Sequence, residues 1–220
     1  TVVESLPRIM SRQLDEGAAR TISLRLESKG MGLRVGANVI AIEGGTRAER
    51  VVLKSGETLP ADLVIVSTGV VPNAELLAAA GAKTNRAVSV DRHMKTSLPD
   101  IYAAGDCAEC GGVNFALWAQ AVEEGRVAGA NGAGDDIEYT GVTGALTLNA
   151  LDTALYAVGE HGTSAAYRAE ESRDDEKGFY EKLYFSGERL AGCILIGDLS
   201  RLTEINKAFE GSAELKAAKA

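Results

Sequence analysis

The chain has 220 residues, with 23 Lys and Arg against 31 Asp and Glu, a formal net charge of −8. At 45% hydrophobic residues it can bury a core, yet it has no apolar run near the ~20 residues that a helical bilayer span needs. The acidic balance lacks the basic footprint of a duplex binder, and 5% aromatics are too few for the stacking platforms of a single-strand binder.

Residues 1–66 read as mixed α/β. Val2 and Val3 are β-branched and lead straight into Glu4. The chain opens there with no Met and no signal peptide, as if inside a strand, so a fragment of a longer protein is expected. From 15 to 29, Ala18, Ala19, Ile22 and Leu26 recur at helical spacing. The Gly30-Met31-Gly32 cluster ends that helix as a C-cap glycine does. Short β-like runs follow at 33–35, 38–43, 50–53 and 62–67. Ser55-Gly56 is a turn signal that predicts a hairpin of 51–54 with 57–59.

Residues 67–136 open on Thr68-Gly69-Val70-Val71-Pro72-Asn73. The pattern predicts a helix over 74–80 stopped at Gly81, then a strand pair at 88–90 and 101–104. Gly105-Asp106 turns into a polar loop, and a second helix runs over 117–130. Asn131-Gly132-Ala133-Gly134-Asp135-Asp136 reads as a linker. In residues 137–220, strands are predicted at 155–158, 180–186 and 192–196, with Gly187-Glu188 as a hairpin turn. An amphipathic helix over 199–209 puts Leu199, Leu202, Ile205 and Phe209 on one face. The fold class is α/β with an α+β tail.

Three segments offer chemistry. Val2-Val3-Glu4 has the form of the second strand of a dinucleotide-binding βαβ unit, whose terminal carboxylate accepts from ribose hydroxyls and repels a 2′-phosphate. Alone, it reads as well as a surface Glu at a strand end. Neither glycine cluster makes a pyrophosphate loop. Gly30-x-Gly32 with Gly36 has the wrong spacing and follows a helix, and Gly132-x-Gly134 runs into two aspartates. The second segment is the string from Thr96 to Asp106, Thr-Ser-Leu-Pro-Asp-Ile-Tyr-Ala-Ala-Gly-Asp. Its glycine lets a ligand approach, and its terminal carboxylate suits a polyol hydroxyl. The third is Cys107-Ala108-Glu109-Cys110, either a redox dithiol or half a zinc site, or else a small residue followed by a variable loop position. With only His93 and His161 and no second cysteine pair, no metal site is expected. Three cysteines in all, with Cys193 in an apolar run, make no disulfide framework and point to a reducing, cytoplasmic setting.

The string ending in Asp106, together with Ser67 to Asn73, closely resembles the FAD-dependent pyridine-nucleotide–disulfide oxidoreductases. Leu6-Pro7-Arg8 through Leu14-Asp15, and Leu117-Trp118 with Ala121 and Gly125 to Gly129, fit the same family. The tail, Lys182-Leu183-Tyr184 with Gly192 to Asp198, looks like the C-terminal domain of its NADH:rubredoxin reductase and nitrite reductase flavoprotein branch. The resemblance implies partial Rossmann-like domains: 1–66 as the rear of an NAD domain and 67–136 as the rear of an FAD domain. Residues 137–220 would be a rubredoxin-reductase-like C-terminal domain. It puts both glycine loops before Thr1, making the chain a C-terminal fragment that alone holds FAD weakly or not at all.

By the same resemblance, Asp106 would bind the ribityl chain, Gly105 would admit the flavin, and Gly69 would sit at the crossover between nucleotide domains. Glu4 would contact the NAD ribose and favour NADH over NADPH. The helix entered at Leu117 would aim its amino end at the flavin ring, with Trp118 either beside the flavin or capping the helix. Electrons would pass from NADH through FAD to a rubredoxin-like carrier or a nitrite reductase module, and the resemblance allows a homodimer. No nucleic acid or membrane partner is expected. The competing expectation is an inert interaction module that docks a partner through its C-terminal domain. NADH oxidase and disulfide reductase activities stay open within the enzyme class.

Overall fold

Val2 and Val3 form β1 (Val2–Val3), which pairs in parallel with β2 (Leu33–Arg34) on the far side of α1 (Glu16–Ser28). The valine pair is thus the first strand of a βαβ unit; the strand, the helix and the run at 33–35 are expected from the sequence, but their parallel pairing across α1 is not. The computed structural model describes residues 1–142, 144–162 and 164–209. Asp15 caps α1, its Oδ1 accepting from the Ala18 N–H at 2.8 Å. At the other end Gly30 turns at φ +73 and its N–H returns to Glu27 O. The buried face holds Ala18, Ala19, Ile22 and Leu26. A meander of β3 (Val39–Glu43), β4 (Arg50–Leu53) and β5 (Thr58–Pro60) comes next, antiparallel throughout. Its second turn contains Gly56 at φ +91.

The chain divides into two compact units. Residues 66–144 form one; residues 1–65 and those from 145 on form the other. The run at 62–67, predicted as a strand, is not one. No described strand hydrogen-bonds to it, and Leu63, Ile65 and Val66 are 77%, 82% and 69% exposed. β-branched composition favours a pleated surface only where a ladder partner and a covering face exist.

In residues 66–144, α2 (Glu75–Ala79) precedes β6 (Val88–Val90), which pairs in parallel with β7 (Ala108–Cys110). The predicted partner, 101–104, makes only the single bridge Lys95↔Tyr102. The ladder instead resumes beyond Gly105, where the backbone swings to φ +79 into a 3₁₀ turn, Gly105–Cys107. α3 (Trp118–Gly132) runs past the predicted stop into the glycine-rich segment. Asn131 anchors the residues after the helix: its Nδ2 donates to His93 O and Ile137 O, and its Oδ1 accepts from the Ile137 N–H. The predicted linker is therefore tied down. Val88, Met94, Ala108 and Val127 are the most buried members of this unit's apolar core cluster.

The C-terminal segment forms an antiparallel sheet of β8 (Leu146–Ala150), β9 (Thr153–Gly159), β10 (Arg168–Asp174), β11 (Phe179–Ser186) and β12 (Arg189–Ile196), in the order β10-β11-β12-β9-β8. α4 (Leu202–Phe209) comes after it. Alternation along the strands splits their side chains between two faces. Leu155, Tyr180, Tyr184, Ile194 and Ile196 pack on Leu14, Ala18 and Ile22 of the N-terminal segment. Val158, Leu183, Cys193 and Leu195 pack on Ile205 and Ala208 of α4. The fold is thus α/β, with parallel strand pairs and a separate antiparallel sheet. The predicted third stretch extends to 220; its part beyond 209 lies outside the described residues. Among the described residues no helix is long and apolar enough to cross a membrane.

Candidate functional site

The turn at Gly105-Asp106 is built by packing against α3. Ala104 is extended, at φ −151, and Gly105 then takes a conformation that L side chains rarely adopt. A Cβ on Gly105 would also lie 3.3 Å from the Ala121 Cβ. Both facts select glycine. The Gly105 N–H donates to Glu124 Oε2 at 2.8 Å. Glu124 is wholly buried in α3, and its Oε1 accepts from Gln120 Nε2 at 2.8 Å. Gln120 Oε1 accepts in turn from the Phe115 N–H at 2.7 Å. Asn114 adds a second clasp: its Nδ2 donates to Asp106 O and Ala108 O at 2.9 and 2.7 Å, and its Oδ1 accepts from the Ala116 N–H. Side-chain amides and one carboxylate, rather than a sheet, join the turn to the entry of α3.

Asp106 itself is exposed, its carboxylate presented from the turn. α3 starts after an extended Leu117, at φ −114, with no side-chain cap, and Trp118 at its first position is 86% exposed. An uncapped first turn presents backbone N–H groups and the positive end of the helix dipole, an environment that favours negative charge. Burial pushes the Glu124 carboxyl up, as does the nearby Asp106 charge, while the bonds from Gln120 and the Gly105 N–H oppose the shift. Of the residues that the sequence singles out, Gly105, Asp106, Leu117 and Trp118 therefore belong to one turn-and-helix arrangement.

Gly69 is exposed in the same unit, at φ +92, with open space where a Cβ would stand. Glu4 belongs to the other unit, half-buried at the end of β1. Its Oε1 accepts from the Leu6 N–H at 2.9 Å and from Ser5 Oγ at 3.2 Å. Cys107 and Cys110 are free thiols in different elements; the Sγ of the first donates to Ala104 O and that of the second to Asp91 O. Cys193 is buried, and burial pushes its thiol up to about 12, away from thiolate reactivity. Among the described residues no three His, Cys, Asp or Glu side chains converge as a metal site would require. Asn114, Gln120 and Glu124 escape a sequence reading. One signal was present: Gln120, Glu124, Val127 and Asn131 lie on the single buried ridge of α3, which puts three polar residues where a core stripe belongs.

Residues 1–125 match the family model described as pyridine nucleotide-disulphide oxidoreductase. The chain belongs to that family. Residues 145–213 also match the rubredoxin NAD+ reductase C-terminal domain. The assimilatory nitrate reductase electron transfer subunit of Bacillus subtilis is 35% identical over 90% of this chain and 26% of its own length. Nitrite reductase [NAD(P)H] of the same organism is 30% identical over 98% of this chain and 27% of its own. A rubredoxin-NAD(+) reductase of Pseudomonas putida is 41% identical over 49% of this chain and 28% of its own. Among solved structures, an NAD-dependent persulfide reductase from A. fulgidus superposes with a TM-score of 0.84 at 27% identity, covering 100% of this chain and 46% of that one. A ferredoxin reductase from Rhodopseudomonas palustris gives 0.82 at 27%, covering 98% and 54%.

The chain spans about a quarter of the length of the curated relatives it matches. The family expectation holds, but the description as a C-terminal fragment defined by two missing loops is corrected. The two family models take in residues 1–125 and 145–213, so the reductase match and the C-terminal-domain match occur together in this one chain. A single strand-like opening at Thr1 is too local a feature to define a domain boundary.

Proposed function

We propose that the protein is an FAD-dependent NADH oxidoreductase that delivers electrons to a rubredoxin-like carrier or a nitrite reductase module. The carrying observation is the Gly105-Asp106 turn, locked onto α3 beside that helix's uncapped, exposed first turn. The residues present fit FAD on two counts. Gly105 leaves no side chain on a turn whose next residue offers an exposed carboxylate, and the α3 amino end favours the negative charge of a reduced flavin. FAD, when bound, supplies hydride acceptance from a nicotinamide and electron release to an acceptor.

The chain's own residues bind and orient. Asp106 accepts from ribityl hydroxyls, Gly105 permits close approach, and Leu117 and Trp118 flank the flavin at the head of α3. Gly69 serves the crossover between nucleotide regions, and Glu4 accepts from the NAD ribose and disfavours a 2′-phosphate. Residues 1–66 act on the NAD side, 67–136 on the FAD side, and 137–220 on the acceptor side. The names of the relatives support this reading, since they include an electron transfer subunit, a nitrite reductase and a rubredoxin reductase. Three free cysteines support a cytoplasmic setting.

Asp106→Ala tests the assignment. Removing a charged hydrogen-bond partner costs about 1.5–3 kcal/mol, so FAD affinity measured by flavin fluorescence quenching is expected to drop by about 10- to 150-fold. An affinity within two-fold of the unmutated protein would remove Asp106 from the site.

A further inference from the structure

We propose that Glu124 is a positioning residue of the flavin site, its carboxylate setting the Gly105-Asp106 turn against the head of α3. The inference rests on the proposed flavin-binding role of Asp106 and α3. The turn and the helix entry are separate pieces of backbone, at residues 105 and 115, and each presents an N–H inward. Two backbone donors cannot satisfy one another. Gln120 and Glu124, one helical turn apart, lie between them, 2% and 0% exposed.

The polarity of this chain is forced at both ends. The Phe115 N–H can only donate, so Gln120 turns its oxygen to Phe115 and its amide nitrogen to Glu124. The Gly105 N–H can only donate, so Glu124 meets a donor on each oxygen. Position 124 must therefore accept at both of its terminal atoms, which a carboxylate does and a carboxamide, with an oxygen on one and an NH2 on the other, cannot. No buried side-chain nitrogen or oxygen among the described residues is left without a partner, so the arrangement is saturated. Any change of polarity would strand a buried donor, at the cost such groups carry. The neighbouring residue, Asp106, is the one whose carboxylate must meet the ribityl chain. The geometry thus assigns Glu124 control over where that carboxylate stands, without contact between Glu124 and the flavin.

The test is an exchange of the pair. Glu124→Gln alone places two donors face to face and is expected to weaken FAD binding by about ten-fold. In the flavin-free protein it is also expected to shift the Gly105 amide proton upfield and speed its exchange. The double variant Gln120→Glu/Glu124→Gln restores the polarity: the carboxylate now at position 120 takes the Phe115 N–H and the amide at position 124, whose oxygen takes the Gly105 N–H. It is expected to recover FAD affinity to within about two-fold and to slow Gly105 exchange again. If Glu124→Gln does not fold, the double variant decides alone: it binds FAD like the unmutated protein, or the proposal fails. Equal FAD affinity in all three proteins, or a double variant no better than the single one, would overturn it. Failure of the unmutated protein to bind FAD at all is a different outcome, which removes the flavin reading and this inference with it.

Discussion

Gly105 shows how much one residue can decide. Its φ of +79 and the 3.3 Å approach to Ala121 act together, one through the backbone and one through packing. Gly105→Ala is expected to cost at least about 1 kcal/mol of stability, because the strained conformation alone is worth that much. Thermal unfolding of the flavin-free protein checks it, and an unchanged midpoint would mean that the turn relaxes at no cost. The Gly-Asp pair was legible in the sequence because its chemistry is written in residue types. Glu124 was not. A glutamate on a helix ordinarily faces water, and only the two inward N–H groups, ten residues apart, explain why this one is buried. Cys107 and Cys110 illustrate the reverse: a spacing with chemical promise whose side chains donate to different backbone carbonyls.

At the level of elements, α1 is tied to the C-terminal sheet by Asp15. One oxygen caps the helix; the other accepts from Tyr180 Oη at 2.7 Å, Tyr184 Oη at 2.9 Å and Lys182 Nζ at 2.9 Å. Lys182 also reaches Glu171 at 2.9 Å. Burial alone would raise the Asp15 carboxyl, but the bonds from the Ala18 N–H, Tyr180, Lys182 and Tyr184 hold it below its ordinary 3.8. A carboxyl with a lowered folded value stabilises the fold above its unfolded value and loses that contribution as pH falls through the folded one. Stability is thus expected to fall on acidification from about pH 4, and Asp15→Asn to reduce that acid dependence while costing about 1–3 kcal/mol near neutrality. Denaturant unfolding at pH 3 and pH 7 would check both, and an identical acid dependence in the variant would remove Asp15 as its source. The cap of α1 was readable from Asp15 and the helical spacing. Its second duty was not, because Tyr180 and Tyr184 lie 165 and 169 residues away.

Strands obey the same rule. β9, β11 and β12 were legible as apolar runs. β10, reading Arg-Ala-Glu-Glu-Ser-Arg-Asp, is a charged edge strand held by pairing to β11 rather than by its composition. Conversely, the apolar run at 62–67 has no described ladder partner and forms no strand. Composition alone fixes neither burial nor pairing; both depend on what lies alongside.

For the whole molecule, family membership rests on matches over residues 1–125 and 145–213, and the sequence carried it in short strings rather than in periodicity. On the proposed function, Glu4 bears on cofactor choice. A carboxylate at the end of β1 is expected to give a kcat/KM for NADH at least about ten-fold above that for NADPH, with Glu4→Ala narrowing the gap. Equal values in the unmutated protein would take Glu4 out of the nucleotide site.

Anaerobic titration of the FAD-loaded protein with NADH, monitored by absorption, tests whether this fold carries electrons from NADH into a flavin. The visible flavin band is expected to bleach with one equivalent of NADH and to return when an electron acceptor is added. A protein that takes up no FAD, or whose bound flavin keeps its oxidised band under excess NADH, would contradict it.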